Sequence, residues 1–172
     1  MAKKKSVNES KVVMTEMVLP NDTNTLDNLM GGRLMHWMDI CAAIAAQKHS
    51  SRTVVTASVD NISFGKPIQL GNIVTLEAHV TRAFNSSMEI YIKVTSEKIP
   101  FGKSDVSNQA FFTFVAVDQS GHPIEIPEVV PETDLEKELY AGALRRRQLR
   151  LVLAKRMKVS DAKELKAYLD NA

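Results

Sequence analysis

The chain has 172 residues, 44% of them hydrophobic and 24% charged, with a formal net charge of +2. That length suits one domain with a sizeable core, and the mixture is that of an ordinary soluble globular protein. So small a net charge leaves no electrostatic footprint for nucleic acid, and the single cysteine, Cys41, excludes an intramolecular disulfide or a multi-cysteine zinc site.

Residues 1–10 are polar and are expected to form a loose tail. No apolar run follows Lys3-Lys4-Lys5, and no segment approaches the ~18 apolar residues of a membrane span. A cytoplasmic location with no membrane or nucleic-acid partner is therefore expected. Lys11 to Leu19 alternates, with Val13, Thr15, Met17 and Leu19 on one face, and reads as a strand. Pro20 to Leu29 is rich in Asn, Asp and Thr, which bond their own backbone and favour turns and helix starts. A helix is expected from Met30 or Gly31 to about His49. Its apolar residues, among them Leu34, Trp37, Met38, Ile40, Ala42 and Ile44, cover nearly every direction around the axis, as in a buried central helix. Cys41 within it is expected to be a buried, inert thiol.

Thr53 to Phe64 alternates again, with a break at Asp60-Asn61 of the kind a β-bulge makes. Turn signals at Lys66-Pro67 and Gly71-Asn72 precede three further strands, Ile73–Phe84, Met88–Glu97 and Gln109–Asp118. Thr133-Asp134-Leu135-Glu136 is a capping-box pattern that starts a helix running to Arg150 or beyond, and a second short helix follows from Ser160 to about Tyr168. Arg145-Arg146-Arg147 with Arg150 gives this tail a basic face, read as solvated or as a subunit contact, with phosphate binding as the alternative. The fold class is α+β: an antiparallel sheet of five to six strands wrapped around one long central helix, over residues 11–131, with a helical extension at 132–172. Its edge strands favour pairing with another subunit.

Two features of the helix carry chemistry. Gly31-Gly32 at its start offers free N–H groups and the positive end of the helix dipole, which suits an oxyanion. Asp39, an acid among apolar residues, can serve as base or nucleophile. Eight residues separate it from Gly31, about 12 Å of helical rise, so the two cannot serve one carbonyl within one chain. Two such helices running antiparallel across a dimer would bring one start beside the other Asp39, giving two composite sites.

Asn24, Gly31-Gly32, Met38-Asp39, Val54-Val55-Thr56-Ala57-Ser58-Val59-Asp60, Ile62-Ser63-Phe64, Pro67-Ile68, Gly71 and Ser87-Met88-Glu89-Ile90 appear in an order and spacing that resembles the hotdog-fold acyl-CoA thioesterases. Among these the chain is most similar to the acyl-CoA hydrolase subgroup that includes brain acyl-CoA hydrolase and its bacterial single-domain relatives. The resemblance implies hydrolysis of acyl-CoA to a free acid and coenzyme A, with no metal and no cofactor beyond the substrate. It makes Asp39 the catalytic carboxylate, Asn24 its helper from the partner subunit, and the N–H of Gly31 or Gly32 the group that polarises the carbonyl. It also implies a homo-oligomer, a trimer of dimers. The family often has glycine where Asp27 stands here.

Arg52 and Lys66, near turns, and Ser58 and Ser63, after the helix, are the candidates for binding coenzyme A. Met35, Trp37 and Phe64 are the apolar residues that could shorten the acyl pocket. His36 and His49 have no metal partner at matching spacing and are expected at the surface. A hotdog hydratase or dehydratase would need a histidine at the helix lead-in, where none stands. A non-catalytic acyl-CoA-binding protein would have lost the carboxylate that Asp39 supplies.

Overall fold

Period-two runs of β-branched and aromatic residues build the sheet, and their unbroken apolar side decides where the helix lies. The computed structural model describes residues 3–60, 62–100, 102 and 104–171. In chain order its elements are β1 (Lys4–Ser6), β2 (Val12–Met17), α1 (Gly31–Ser50), β3 (Thr53–Val59), β4 (Ile73–Ala83), β5 (Ser87–Glu97), β6 (Ser104–Val117), β7 (Glu128–Val130), α2 (Asp134–Leu153) and α3 (Lys163–Asp170). They fall into two compact units, Met1–Val130 and Pro131–Ala172.

The first unit is a five-stranded sheet in the order β2-β4-β5-β6-β3, with every pairing antiparallel. Alternation puts Val74, Leu76 and Ala78 of β4, Ile90, Ile92 and Val94 of β5, and Phe112, Phe114 and Ala116 of β6 on one buried face. Phe112 and Phe114 stack there with ring centroids 6.4 Å apart. Against this face α1 buries Leu34, Trp37, Met38, Cys41, Ala42, Ala45 and Ala46. The Cys41 thiol is buried as expected, and burial pushes its pKa up to about 11.

Four expectations need correction. The helix is not buried all round, because one sheet covers only one side of it. His36, Ile40 and Ile44 form an exposed stripe, with Ile40 37% and Ile44 40% exposed, and Asp39 stands half-buried beside them. The break in β3 lies at Ala57, between the Thr56 and Ser58 pairings, and not at Asp60-Asn61, of which Asn61 is outside the described residues. Of the expected loose tail, residues 3–10 are described and they are ordered: β1 pairs in parallel with β7, and a 3-10 turn over Val7–Ser10 buries Val7 and Ser10. Ser10 accepts a 3.0 Å hydrogen bond from the Val80 N–H, while Lys5 Nζ donates to the Lys48 carbonyl at the negative end of α1.

His49 is the fourth correction. It continues the buried face of α1 and is fully enclosed, its Nε2 bonded to the Pro127 carbonyl at 2.8 Å. Burial, only partly opposed by that bond, holds its pKa below the usual value.

In the second unit α2 opens on the expected box: the Glu136 N–H donates to Thr133 Oγ1 at 3.3 Å, and the Thr133 N–H donates to the Glu136 carboxylate at 3.1 Å. A 3-10 turn over Val159–Asp161 precedes α3, where the Leu165 N–H is bonded to Gln148 Oε1 at 2.9 Å. The basic face is partly used inside this unit. The Arg145 guanidinium lies 4.3 Å from the Tyr168 ring centre, and Arg146 donates to the Leu139 carbonyl. Among the described residues no helix is long and apolar enough to cross a membrane.

Candidate active site

The start of α1 is built to leave donors open. Its N-cap residue is Met30, whose side chain can accept nothing from the first turn, and no side-chain cap is formed. The N–H groups of Arg33 and Leu34 turn back to the Met30 carbonyl at 3.0 and 3.1 Å. Those of Gly31 and Gly32 take no acceptor among the described residues. Gly32 is also sterically open, with nothing within 4 Å of where a Cβ would stand.

The lead-in loop is pinned to that first turn. Asp22, fully buried, accepts from Arg33 Nε at 2.5 Å and from the Leu19 N–H at 3.0 Å, and its carbonyl accepts from the Met30 N–H at 2.9 Å. The Arg33 guanidinium and the Leu19 N–H hold the Asp22 carboxyl below its ordinary range, against an opposing push from burial. Asn24 is exposed; its Oδ1 accepts from the N–H groups of Leu26 and Asn28, at 2.9 and 3.2 Å. It therefore shapes an Asx turn and leaves its amide NH2 outward. Asp27 sits at φ 54°, the left-handed region in which glycine is at ease, which accounts for the glycine common there in the family that the sequence resembles.

Asp39 meets a partner that the sequence reading did not single out as a site residue. The Thr56 hydroxyl of β3 donates to Asp39 Oδ1 at 2.8 Å, which leaves Oδ2 for other work. The signal was there: Thr56 stands within the 54–60 stretch that carries the resemblance, one turn of chain after the helix, on the strand that flanks it. β3 is the outermost strand of the sheet, so Asp39, Thr56 and the Ile40–Ile44 stripe share one open flank.

The coenzyme A candidates are not gathered there. Ser58, after the bulge, is in register with Thr113, on the face of the sheet away from α1. Arg52 lines a polar cleft of about 550 Å³ with Ser51, Thr53, Asp118 and Gln119 at the other end of β3. Ser63 gives its carbonyl to Asn108 Nδ2 at 2.5 Å, and Lys66 Nζ lies 3.9 Å from Asp105. His36 is exposed, as expected. Among the described residues no cluster of three or more His, Cys, Asp or Glu side chains could hold a metal ion.

A curled antiparallel sheet on one long helix, with open N–H donors at the helix start and a carboxylate two turns on, defines a hotdog-type acyl-transfer scaffold. The thioesterase superfamily model matches residues 26–102. A Bacillus subtilis (strain 168) protein, YkhA, described as an uncharacterized acyl-CoA thioester hydrolase, is 45% identical over 138 residues, 80% of each chain. An apo-hexameric acyl-CoA thioesterase superposes with a TM-score of 0.86 at 38% identity, over 88% of this chain and 97% of its own. An acyl-CoA hydrolase of Staphylococcus aureus, solved with butyryl coenzyme A, coenzyme A and coenzyme A disulfide, does so with a TM-score of 0.82 at 40% identity, over 88% and 94%. The chain belongs to the thioesterase superfamily. Alanine variants of the Staphylococcus enzyme have also been solved at an asparagine, at an aspartate 15 residues later, and at a threonine 17 residues after that. Asn24, Asp39 and Thr56 stand at those same intervals, 15 and 17 residues.

Proposed function

We propose that the protein hydrolyses the thioester of acyl-CoA to a free carboxylic acid and coenzyme A, at sites each built from two copies of the chain. Asp39 of one copy faces the start of α1 of the other. The observation that carries this reading is the pairing of a Thr56-anchored carboxylate with uncapped Gly31 and Gly32 donors about 12 Å away on the same helix. One chain cannot close that gap, and two antiparallel helices can. The exposed Ile40–Ile44 stripe and the unpaired edge of β3 are the surfaces they would share.

In this site the thioester oxygen accepts from the Gly31 or Gly32 N–H, and the helix dipole favours the charge that develops there. Asp39 Oδ2 either takes the proton of an attacking water or attacks the carbonyl itself; the oxyanion falls on the same donors in both routes. Collapse of the tetrahedral species breaks the carbon–sulfur bond, and the thiolate of coenzyme A leaves and is protonated. With water as the nucleophile this gives the free acid directly, whereas attack by Asp39 leaves an acyl–Asp39 anhydride that a water then hydrolyses to the acid, restoring the carboxylate. The outward amide of Asn24 donates to substrate or water across the interface. The route takes no metal and no cofactor, coenzyme A being part of the substrate. The assembly we propose is a homohexamer, a trimer of dimers, supported by the hexameric relative. Its place is the cytoplasm, in keeping with a chain whose lone cysteine is a buried free thiol.

Thiol release from a panel of acyl-CoAs tests this directly. Turnover of at least one acyl-CoA is expected, with Asp39→Ala lowering kcat by about 100-fold or more while the fold is kept. Full activity in Asp39→Ala removes the carboxylate from the mechanism, and no turnover of any acyl-CoA removes the function.

A further inference from the structure

We propose that Phe64 selects the acyl group at the carbons nearest the reacting carbonyl, its ring forming a wall against bulk there. The proposal rests on the reading of Gly31 and Gly32 as the oxyanion donors and deepens it. A Cβ on Gly31 would stand 3.3 Å from Phe64 Cζ and 3.5 and 3.6 Å from the two Cε atoms. Side chains of an α-helix tilt toward its N-terminus, so the ring stands beside the first turn, next to the donors. On Gly32 there is no such neighbour. The two glycines therefore differ: one lacks a side chain so that the ring can lie against it, the other leaves an open approach.

Phe64 is 53% exposed, an unusual state for an aromatic ring in contact with a helix end. Hydrogen bonds to backbone carbonyls on either side of it tie its segment down. Asn108 Nδ2 holds the Ser63 carbonyl at 2.5 Å, and the Leu29 N–H donates to the Ile68 carbonyl at 2.7 Å. A carbonyl oxygen at hydrogen-bond distance, about 2.9 Å, from a glycine N–H brings its own carbon and the next acyl carbons within van der Waals reach of that ring. The far end of a long acyl chain lies beyond it. Two other apolar residues of α1 are placed differently: Trp37 is only 7% exposed and packs in the core, and Met35 stands a full turn along the helix, about 6 Å from Gly31.

The experiment compares kcat/KM for butyryl-, isobutyryl- and octanoyl-CoA in the wild type, Phe64→Leu and Phe64→Ala, with melting temperature and oligomer mass measured for each. In Phe64→Ala the isobutyryl-to-butyryl ratio is expected to rise by about tenfold, with Phe64→Leu in between. The octanoyl-to-butyryl ratio should move by less than about threefold. Equal changes for all three substrates would mean that the ring touches the coenzyme A portion or only supports the fold, and would overturn the proposal. A shift confined to octanoyl-CoA overturns it as well, by placing the ring at the chain end. Wild-type turnover with unchanged ratios in both variants sinks the role of Phe64 alone; no turnover by the wild type sinks the hydrolase reading on which it stands.

Discussion

A carboxylate that acts on a thioester must present one oxygen in a fixed direction, and a half-buried aspartate on a helix has two rotatable bonds with which to miss. The 2.8 Å bond from Thr56 removes that freedom by occupying Oδ1. In the proposed mechanism Thr56 is thus a positioning residue, acting through Asp39. On that reading its loss would leave substrate binding intact and misdirect the attack. Thr56→Ala is expected to lower kcat by about tenfold with KM within about twofold, and Thr56→Ser, which keeps the hydroxyl, should restore most of it. Steady-state kinetics decide this, because a merely structural threonine would not be rescued by serine with the melting temperature unchanged. At this scale the sequence was uneven. Asp39 stood out because an acid interrupts an apolar run. Thr56 did not declare itself, since its contact is made across the fold with a residue 17 positions earlier. Phe64, one of three apolar candidates for the acyl pocket, is set apart from the other two only by its contact with Gly31, 33 positions earlier.

At the scale of elements, the long strands and α1 follow from their periods, because one buried sheet face and one helix stripe must be apolar throughout. What escaped notice is what lacks a period. β1 and β7 are three residues each, paired in parallel across the chain, and no alternation can show in so short a run. The chemistry of His49 suggests a surface, whereas its position extends the buried face of α1 by one turn. The lead-in loop has no period either; it is held by the buried Asp22 and its bonds to Arg33 and Leu19. A carboxyl kept below its ordinary value near 3.8 stabilises the fold fully above that pH and loses this contribution as the pH falls through the lowered value. Asp22→Asn should therefore cost about 1–3 kcal/mol at neutral pH and weaken the acid-side decline in stability. Denaturant melts of both proteins from neutral pH to about pH 2.5 would show it, and parallel curves would place the acid sensitivity elsewhere.

At the scale of the whole molecule, a site shared across a two-fold axis makes a demand that no single-chain site can meet. Suppose that one population carries Asp39→Asn and the other Asn24→Ala, each nearly inactive alone. In a mixed dimer one site collects both lesions and the other collects neither. If subunits reassort at random from equal amounts, half of the dimers are mixed, and in each of these one of the two sites is intact. Activity should recover to about a quarter of the wild-type value after co-refolding or co-expression. Were Asn24 and Asp39 of the same chain to serve one substrate, every site would keep one lesion and nothing would return. The recovery must also depend on the shared flank. Ile44→Asp, which puts a charge into the exposed stripe of α1, is expected to yield smaller particles by light scattering and to abolish the recovery in the same proportion. Ile44 lies five residues, about 7.5 Å of rise, from the carboxylate and about 20 Å from Gly31 of its own chain, and makes no part of the reacting groups. A loss of activity that tracks particle mass there assigns the defect to the assembly and not to damaged chemistry within a chain.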